Sequence, residues 1–138
     1  MKRVNTLLAF LFVIFSGILG SCHTVPESIS PDLAPNEYFQ KGQEAFGRGY
    51  GETALLYYRT FIERYPDMTQ KVVEAEYEIA FIIYRSGDAE KARGLFTAIL
   101  QKYAAPGAEV LPAWPRVLSA KLLGMIEEEL KEASTEEE

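Results

Sequence analysis

Cys22 and His23 are the chain's only cysteine and only histidine, and they are adjacent. A thiol beside an imidazole is the material of a metal-ligand pair or a reactive nucleophile, unless the adjacency is unrelated to chemistry. Both chemistries need further groups. A cysteine-histidine zinc site takes more ligands of that kind than this pair supplies, and no second cysteine or histidine exists. A serine-histidine-acid triad has only His23 to draw on. The glycine-rich "GRGYG" at 47–51 lacks the Lys-Ser/Thr end of a phosphate-binding loop. Carboxylates are abundant but read as solvated helix surface. The expectation is therefore no enzyme, no metal and no cofactor. A lone cysteine also excludes an internal disulfide framework.

What precedes the pair explains it better. Met1-Lys2-Arg3 is a short positive start, and Leu7–Leu19 is an apolar run broken only by Ser16 and Gly17. A charged start, an apolar stretch and small residues at the end form a secretory signal. At thirteen residues the run is short of the ~20 a spanning helix needs. Leu19-Gly20-Ser21-Cys22 resembles the lipobox of bacterial lipoproteins: aliphatic, small, small, cysteine. That resemblance implies removal of residues 1–21, a diacylglyceryl group on the Cys22 thiol, and often an acyl chain on the new N-terminus. Each buried methylene contributes about 0.8 kcal/mol of membrane affinity, so two or three chains would hold the protein essentially permanently. In that family an Asp after the cysteine favours the inner membrane. His23 is not Asp, so the expected place is the cell envelope, at the periplasmic face of the outer membrane where the host has one.

Residues 22–34 read as a lipidated cysteine and a flexible tether. Pro26 and Pro31 interrupt "HTVPESISPDLA", and Pro35 stops a helix from running backwards through it. Twelve extended residues reach about 40 Å. A helical domain is expected over 35–133 and a solvated acidic tail over 134–138. Eight Phe, eight Tyr and one Trp among 138 residues argue for a packed core. Without Lys2 and Arg3 the rest of the chain holds 12 basic and 20 acidic residues, a balance of −8. That leaves no electrostatic footprint for nucleic acid.

Displaced by 38 residues, the chain matches itself. Phe39 meets Tyr77, Phe46 meets Tyr84, Gly49 meets Gly87, Ala54 meets Ala92, Tyr58 meets Phe96, and Arg64-Tyr65 meets Lys102-Tyr103. Within each copy the apolar residues recur at helical spacing on either side of a glycine turn, which predicts two αα-hairpins. A third amphipathic segment, Arg116–Lys131, is expected to cap them through Val117, Leu118, Leu123, Ile126 and Leu130. The pattern resembles the tetratricopeptide repeat: a small residue, Ala twelve later, an aromatic four beyond, and Pro eight further. Gly42, Ala54, Tyr58 and Pro66 fit all four places, and Ala80, Ala92 and Phe96 fit three. Tyr38 stands in place of the usual Trp, Lys41 in place of Leu, and the period is 38 rather than 34. The four extra residues are assigned to a surface loop, "PDMTQKV". Leu123-Gly124 resembles the start of another repeat. The expected fold is thus all-α: a short TPR-like αα-hairpin solenoid of two repeats plus a C-terminal capping helix.

In that family the first helix of each repeat lines a groove. The resemblance places Asn36, Phe39, Gln43 and Phe46, then Glu74, Tyr77, Phe81, Tyr84 and Arg85, in it. Several bacterial envelope lipoproteins combine a lipobox with repeats ending in an aromatic-Pro pair such as Tyr65-Pro66, among them the lipoprotein of the outer-membrane β-barrel assembly machine. The resemblance covers Pro35–Tyr103. It implies a non-enzymatic adaptor or scaffold, tethered to the membrane, that binds an envelope protein or peptide with apolar anchors. The alternatives are a carrier or receptor for an apolar small ligand, oligomerisation through the open end of the solenoid, and a purely structural role for the aromatics as core. Tyr57 is assigned to the core between repeats.

Overall fold

The computed structural model describes residues 25, 26 and 28–136, so Cys22, His23 and the apolar run before them lie outside the described residues. Among the described residues there are five α-helices, one 3₁₀ turn and no strand. The helices are α1 (Pro35–Gly47), α2 (Gly51–Arg64), α3 (Thr69–Arg85), α4 (Ala89–Tyr103) and α5 (Ala113–Glu136). Pairs α1/α2 and α3/α4 form two hairpins, α2 packs on α3, and α5 packs on α4. The protein is an all-α solenoid of two helical hairpins closed by a fifth helix.

The 38-residue repeat is visible in the turns. Gly49 and Gly87 have φ of 83° and 90°, a region in which L side chains are strained. Around Gly49 the Tyr50 N–H donates to Ala45 O (2.9 Å) and the Gly49 N–H to Phe46 O (2.9 Å). Around Gly87 the Asp88 N–H donates to Ile83 O (3.3 Å) and the Gly87 N–H to Tyr84 O (3.0 Å). Both are Schellman closures, which satisfy the last carbonyls of a helix as the chain reverses. Asp88 then caps α4 by accepting from the Lys91 N–H at 3.1 Å.

The hairpins are held flush by small residues under aromatic rings. A Cβ on Gly42 would lie 2.8 Å from Cζ of Tyr58, which is closer than atoms pack. Ala54, Tyr58, Ala80, Ala92 and Phe96 are all essentially fully buried. Tyr57 is half-buried against the core, as expected.

Four expectations are corrected. The extra four residues of the first period do not lengthen a loop: α3 has 17 residues against 13 in α1, so Thr69–Val72 form an added helical turn. Nothing in that sequence breaks a helix after Pro66, and α3 begins as soon as the turn after it is complete.

The second half of the tether is not free. Ile29 is 5% exposed, and Leu33 packs against the same core. Arg64 donates to Ser30 O at 2.8 Å, to Ile29 O at 3.1 Å, and to the Tyr38 hydroxyl. The Tyr65 hydroxyl donates to Leu33 O at 3.1 Å. Ile29 and Leu33 are apolar residues four apart in a polar segment. Covering the end of the first hairpin buries them, while Arg64 and Tyr65 take the carbonyls an extended backbone leaves unpaired.

The face of α5 is the expected one at Ile126, which is buried, and at Leu123 and Leu130, which pack against the core, but not in its first turns. Pro115, Ser119 and Ile126 are buried, while Val117 and Leu118 are 59% and 39% exposed and Gly124 faces solvent. Ser119, a small residue, is fully buried on the helix that packs on α4. Its hydroxyl has no hydrogen-bond partner among the described residues. Finally, α5 runs on to Glu136, into the segment expected as tail. The Ser134 and Thr135 hydroxyls bond to Lys131 O and Glu132 O, both at 2.8 Å, within the last turn.

Two substitutions measure the small-residue contacts. Gly42→Ala should destabilise the domain by about 1–3 kcal/mol through overpacking on Tyr58, read by urea unfolding. Ser119→Ala, which removes a buried unpaired hydroxyl, should be neutral or stabilising by about 1 kcal/mol.

Candidate functional site

The residues expected to line a groove lie on the first helix of each hairpin, and ring contacts tie α1, α3 and α5 into one face. Phe46 of α1 meets Phe81 of α3 edge-on at 5.9 Å. Phe81 stacks with Tyr77 at 6.2 Å, and Tyr77 meets Trp114 of α5 edge-on at 5.0 Å. Such offset and edge contacts contribute about 0.5–1.5 kcal/mol each beyond the area they bury. The result is a row of four aromatic rings, Phe46–Phe81–Tyr77–Trp114, running across three helices.

Within this row the expected residues differ in role. Tyr77 is 7% exposed and also contacts Phe96 at 5.9 Å, so it belongs to the core and forms the floor rather than an open binding position. Phe39 is half-buried, with ring contacts to Tyr58 at 5.6 Å and Phe61 at 5.0 Å. Its remaining face is covered by the Lys71 ammonium at 5.1 Å, and Lys71 in turn pairs with Glu74 at 2.6 Å. Lys71 comes from the added turn of α3, so the four-residue insertion lays a charged lid over Phe39. Phe46, Phe81 and Tyr84 are half-buried, while Asn36, Gln43 and Arg85 are exposed.

The rings continue into side chains not expected to belong here. At 100° per residue Trp114, Val117, Leu118, Lys121 and Met125 share one stripe of α5, about a third of the circumference from the Pro115–Ser119–Ile126 stripe that meets α4. Trp114 and Met125 are 38% and 46% exposed. The spacing 114, 117, 118, 121, 125 is as helical as the spacing of the buried set. Sequence periodicity alone offers two apolar stripes on this helix and no means of choosing between them.

Glu78 also belongs to the residues that sequence reasoning missed. It follows Glu74 by one turn on the same face. Burial, followed by the negative charge of Glu74, pushes its carboxyl above the usual carboxylate range. Its charge, after burial, also contributes to raising the Tyr58 and Tyr77 hydroxyls. A desolvated acid beside a second acid is a place where a cation from outside would be welcome.

No family model matches the chain, and no solved structure matches it. It is similar to an uncharacterized protein of Treponema pallidum (strain Nichols), 31% identical over 106 residues, which is 75% of this chain and 41% of that protein. The chain thus spans less than half the length of this curated relative. No helix among the described residues is long and apolar enough to cross a membrane.

The raised Glu78 fixes the sign of a pH effect. The folded protein holds this proton to higher pH than the unfolded chain does, so its contribution to stability is full at acid pH and is lost as pH rises through the folded value. Glu78→Gln should therefore melt at a higher temperature than the native chain at pH 7. The difference should vanish below about pH 4, where the native carboxyl is protonated in both states. Melting curves of the two proteins across that range check it.

Proposed function

We propose that the protein is a lipoprotein of the bacterial cell envelope whose short tetratricopeptide-like domain is a non-enzymatic adaptor, binding a segment of another envelope protein on the α1/α3/α5 face. The anchor is the diacylglyceryl-modified Cys22, and the envelope location follows from it, with the periplasmic face of the outer membrane favoured where the host has one. The observation that carries the adaptor reading is the ring row Phe46–Phe81–Tyr77–Trp114 and its continuation into exposed Val117, Lys121 and Met125, a stripe that no helix among the described residues covers. Half-buried rings over a buried floor, continued by exposed apolar side chains and rimmed by charge, suit a docking surface.

The charges set the chemistry of the partner. Glu74 and Glu78 flank the rings on α3, and Arg85 and Lys121 lie further along α3 and α5. A segment with apolar anchors, a basic residue for the Glu74–Glu78 pair and an acidic one for Arg85 or Lys121 satisfies all of them. Desolvated Glu78 would gain most, because a cation there relieves the burial cost that the free protein carries.

Two measurements test this reading. Cys22→Ser should abolish partitioning into detergent while leaving the circular dichroism of the domain unchanged. Tyr84→Ala and Val117→Asp should each lose a partner captured by crosslinking in cells, with melting temperatures close to native. Unfolding of these variants would assign the residues to the core and overturn the adaptor reading.

A further inference from the structure

We infer that one end of the solenoid, the end at which α1, α3 and α5 begin, rests on the lipid surface to which the chain is anchored. This inference rests on the lipid anchor at Cys22 proposed above. Four observations lead to it.

The first is where the anchor segment joins the domain. Ile29 is buried, and Arg64 and Tyr65 hold the carbonyls of Ile29, Ser30 and Leu33. Those contacts lie at the start of α1 and the end of α2. Only seven residues of chain separate Cys22 from the buried Ile29. Seven residues reach about 24 Å when fully stretched and about 15 Å as a loose coil. A 14-residue helix such as α2 is itself about 21 Å long. A span this short holds the clamped end near the lipid and leaves the opposite end, with the Gly49 and Gly87 turns, further out.

The second is what that end exposes. Seven large hydrophobic side chains are exposed among the described residues, and four of them fall at or beside this end. Val25 precedes the clamp by four residues, Met68 sits in the turn between α2 and α3, Val110 in the loop before α5, and Trp114 in the first turn of α5. Val110 is 56% exposed. The opposite end presents Arg48, Ser86, Asp88 and Glu90, all exposed.

The third is that the loop carrying Val110 is held in place. Gln70 Nε2 donates to Val110 O at 2.7 Å, and the Tyr103 hydroxyl donates to Pro112 O at 2.7 Å. Val110 is thus presented outward from a fixed backbone. Single aliphatic side chains and a tryptophan at one level suit the boundary between headgroups and acyl chains, where tryptophan is enriched.

The fourth is charge. The acidic stretch Glu127, Glu128, Glu129 and Glu132 lies on the far half of α5. Glu127 is thirteen residues from Trp114, about 20 Å along the helix, which exceeds the Debye length of about 8 Å in physiological salt. Contact at the clamped end keeps this acidic stretch away from anionic headgroups, and leaves the exposed Asp67 and Glu109, beside Met68 and Val110, at headgroup level.

Trp114 is the only tryptophan in the chain and so reports on this contact directly. Protein isolated from the membranes of an expressing bacterium is reconstituted into vesicles of phosphatidylethanolamine and phosphatidylglycerol, with and without brominated acyl chains. Flotation with the vesicles reads the anchor, and Trp114 emission reads the edge. The expected result is flotation together with a loss of Trp114 emission in the brominated vesicles. In Met68→Asp/Val110→Asp the protein should float as before while the quenching is lost. A protein that floats with unquenched Trp114 overturns the proposal, as does quenching that the double variant leaves unchanged. A protein that does not float argues against the natural anchor. In that case Cys22, the sole cysteine, is coupled to a maleimide phospholipid and the same quenching decides the question of the edge.

Discussion

Each close contact between helices in this protein needs a side chain small enough to let the next helix in. Gly42 lies under the Tyr58 ring with no space for a Cβ. Thirty-eight residues on, Ala80 and Phe96 are both buried without residual exposure, and on α5 Ser119 takes the small-residue place. Interiors pack as densely as organic crystals, so interhelical distance is decided by these few positions rather than by the larger side chains around them. Everything at a greater distance inherits that spacing. The rings of Tyr38, Phe61 and Tyr65, 5.5–6.0 Å apart, close the first hairpin because Gly42 brings its two helices together. The row from Phe46 to Trp114 forms because the successive hairpins are set at a comparable distance.

The two ends of the solenoid are treated differently. At the start, Ile29 and Leu33 cover the first hairpin, and Arg64 supplies hydrogen bonds to backbone that has no helix of its own. At the finish, α5 presents one apolar stripe to α4 and a second to the outside. A repeat array buries its faces only by stacking neighbours, so its terminal surfaces must be capped, wetted or used. Here the first surface is capped by chain, and the last keeps Trp114, Val117, Leu118 and Met125 uncovered among the described residues.

The electrostatics of the α1/α3/α5 face centre on the added turn of α3 and the turns that follow it. The added turn of α3 carries Lys71, which sits over Phe39 and pairs with Glu74. Glu78, one turn further, has Glu74 as its neighbour and carries the cost of burial as a raised carboxyl. A surface ion pair contributes only about 0–1 kcal/mol, so Lys71–Glu74 does little for stability. What it does is cover Phe39, a second aromatic of α1 beside the row.

Much of this was legible in the sequence. The 38-residue repeat, the glycines that must take positive φ, and the small-residue and aromatic places at fixed spacing determined an all-α pair of hairpins with a further helix, because each follows from local geometry that any such chain obeys. The rest depends on contacts between distant residues. Whether Val117 or Ser119 turns inward cannot be decided on α5 itself, since both stripes are apolar and helical; the nearness of α4 decides it. Whether Ile29 belongs to a leash or a cap depends on Arg64, 35 residues away. Periodicity identifies the elements, and tertiary packing alone decides which of their faces are left for function.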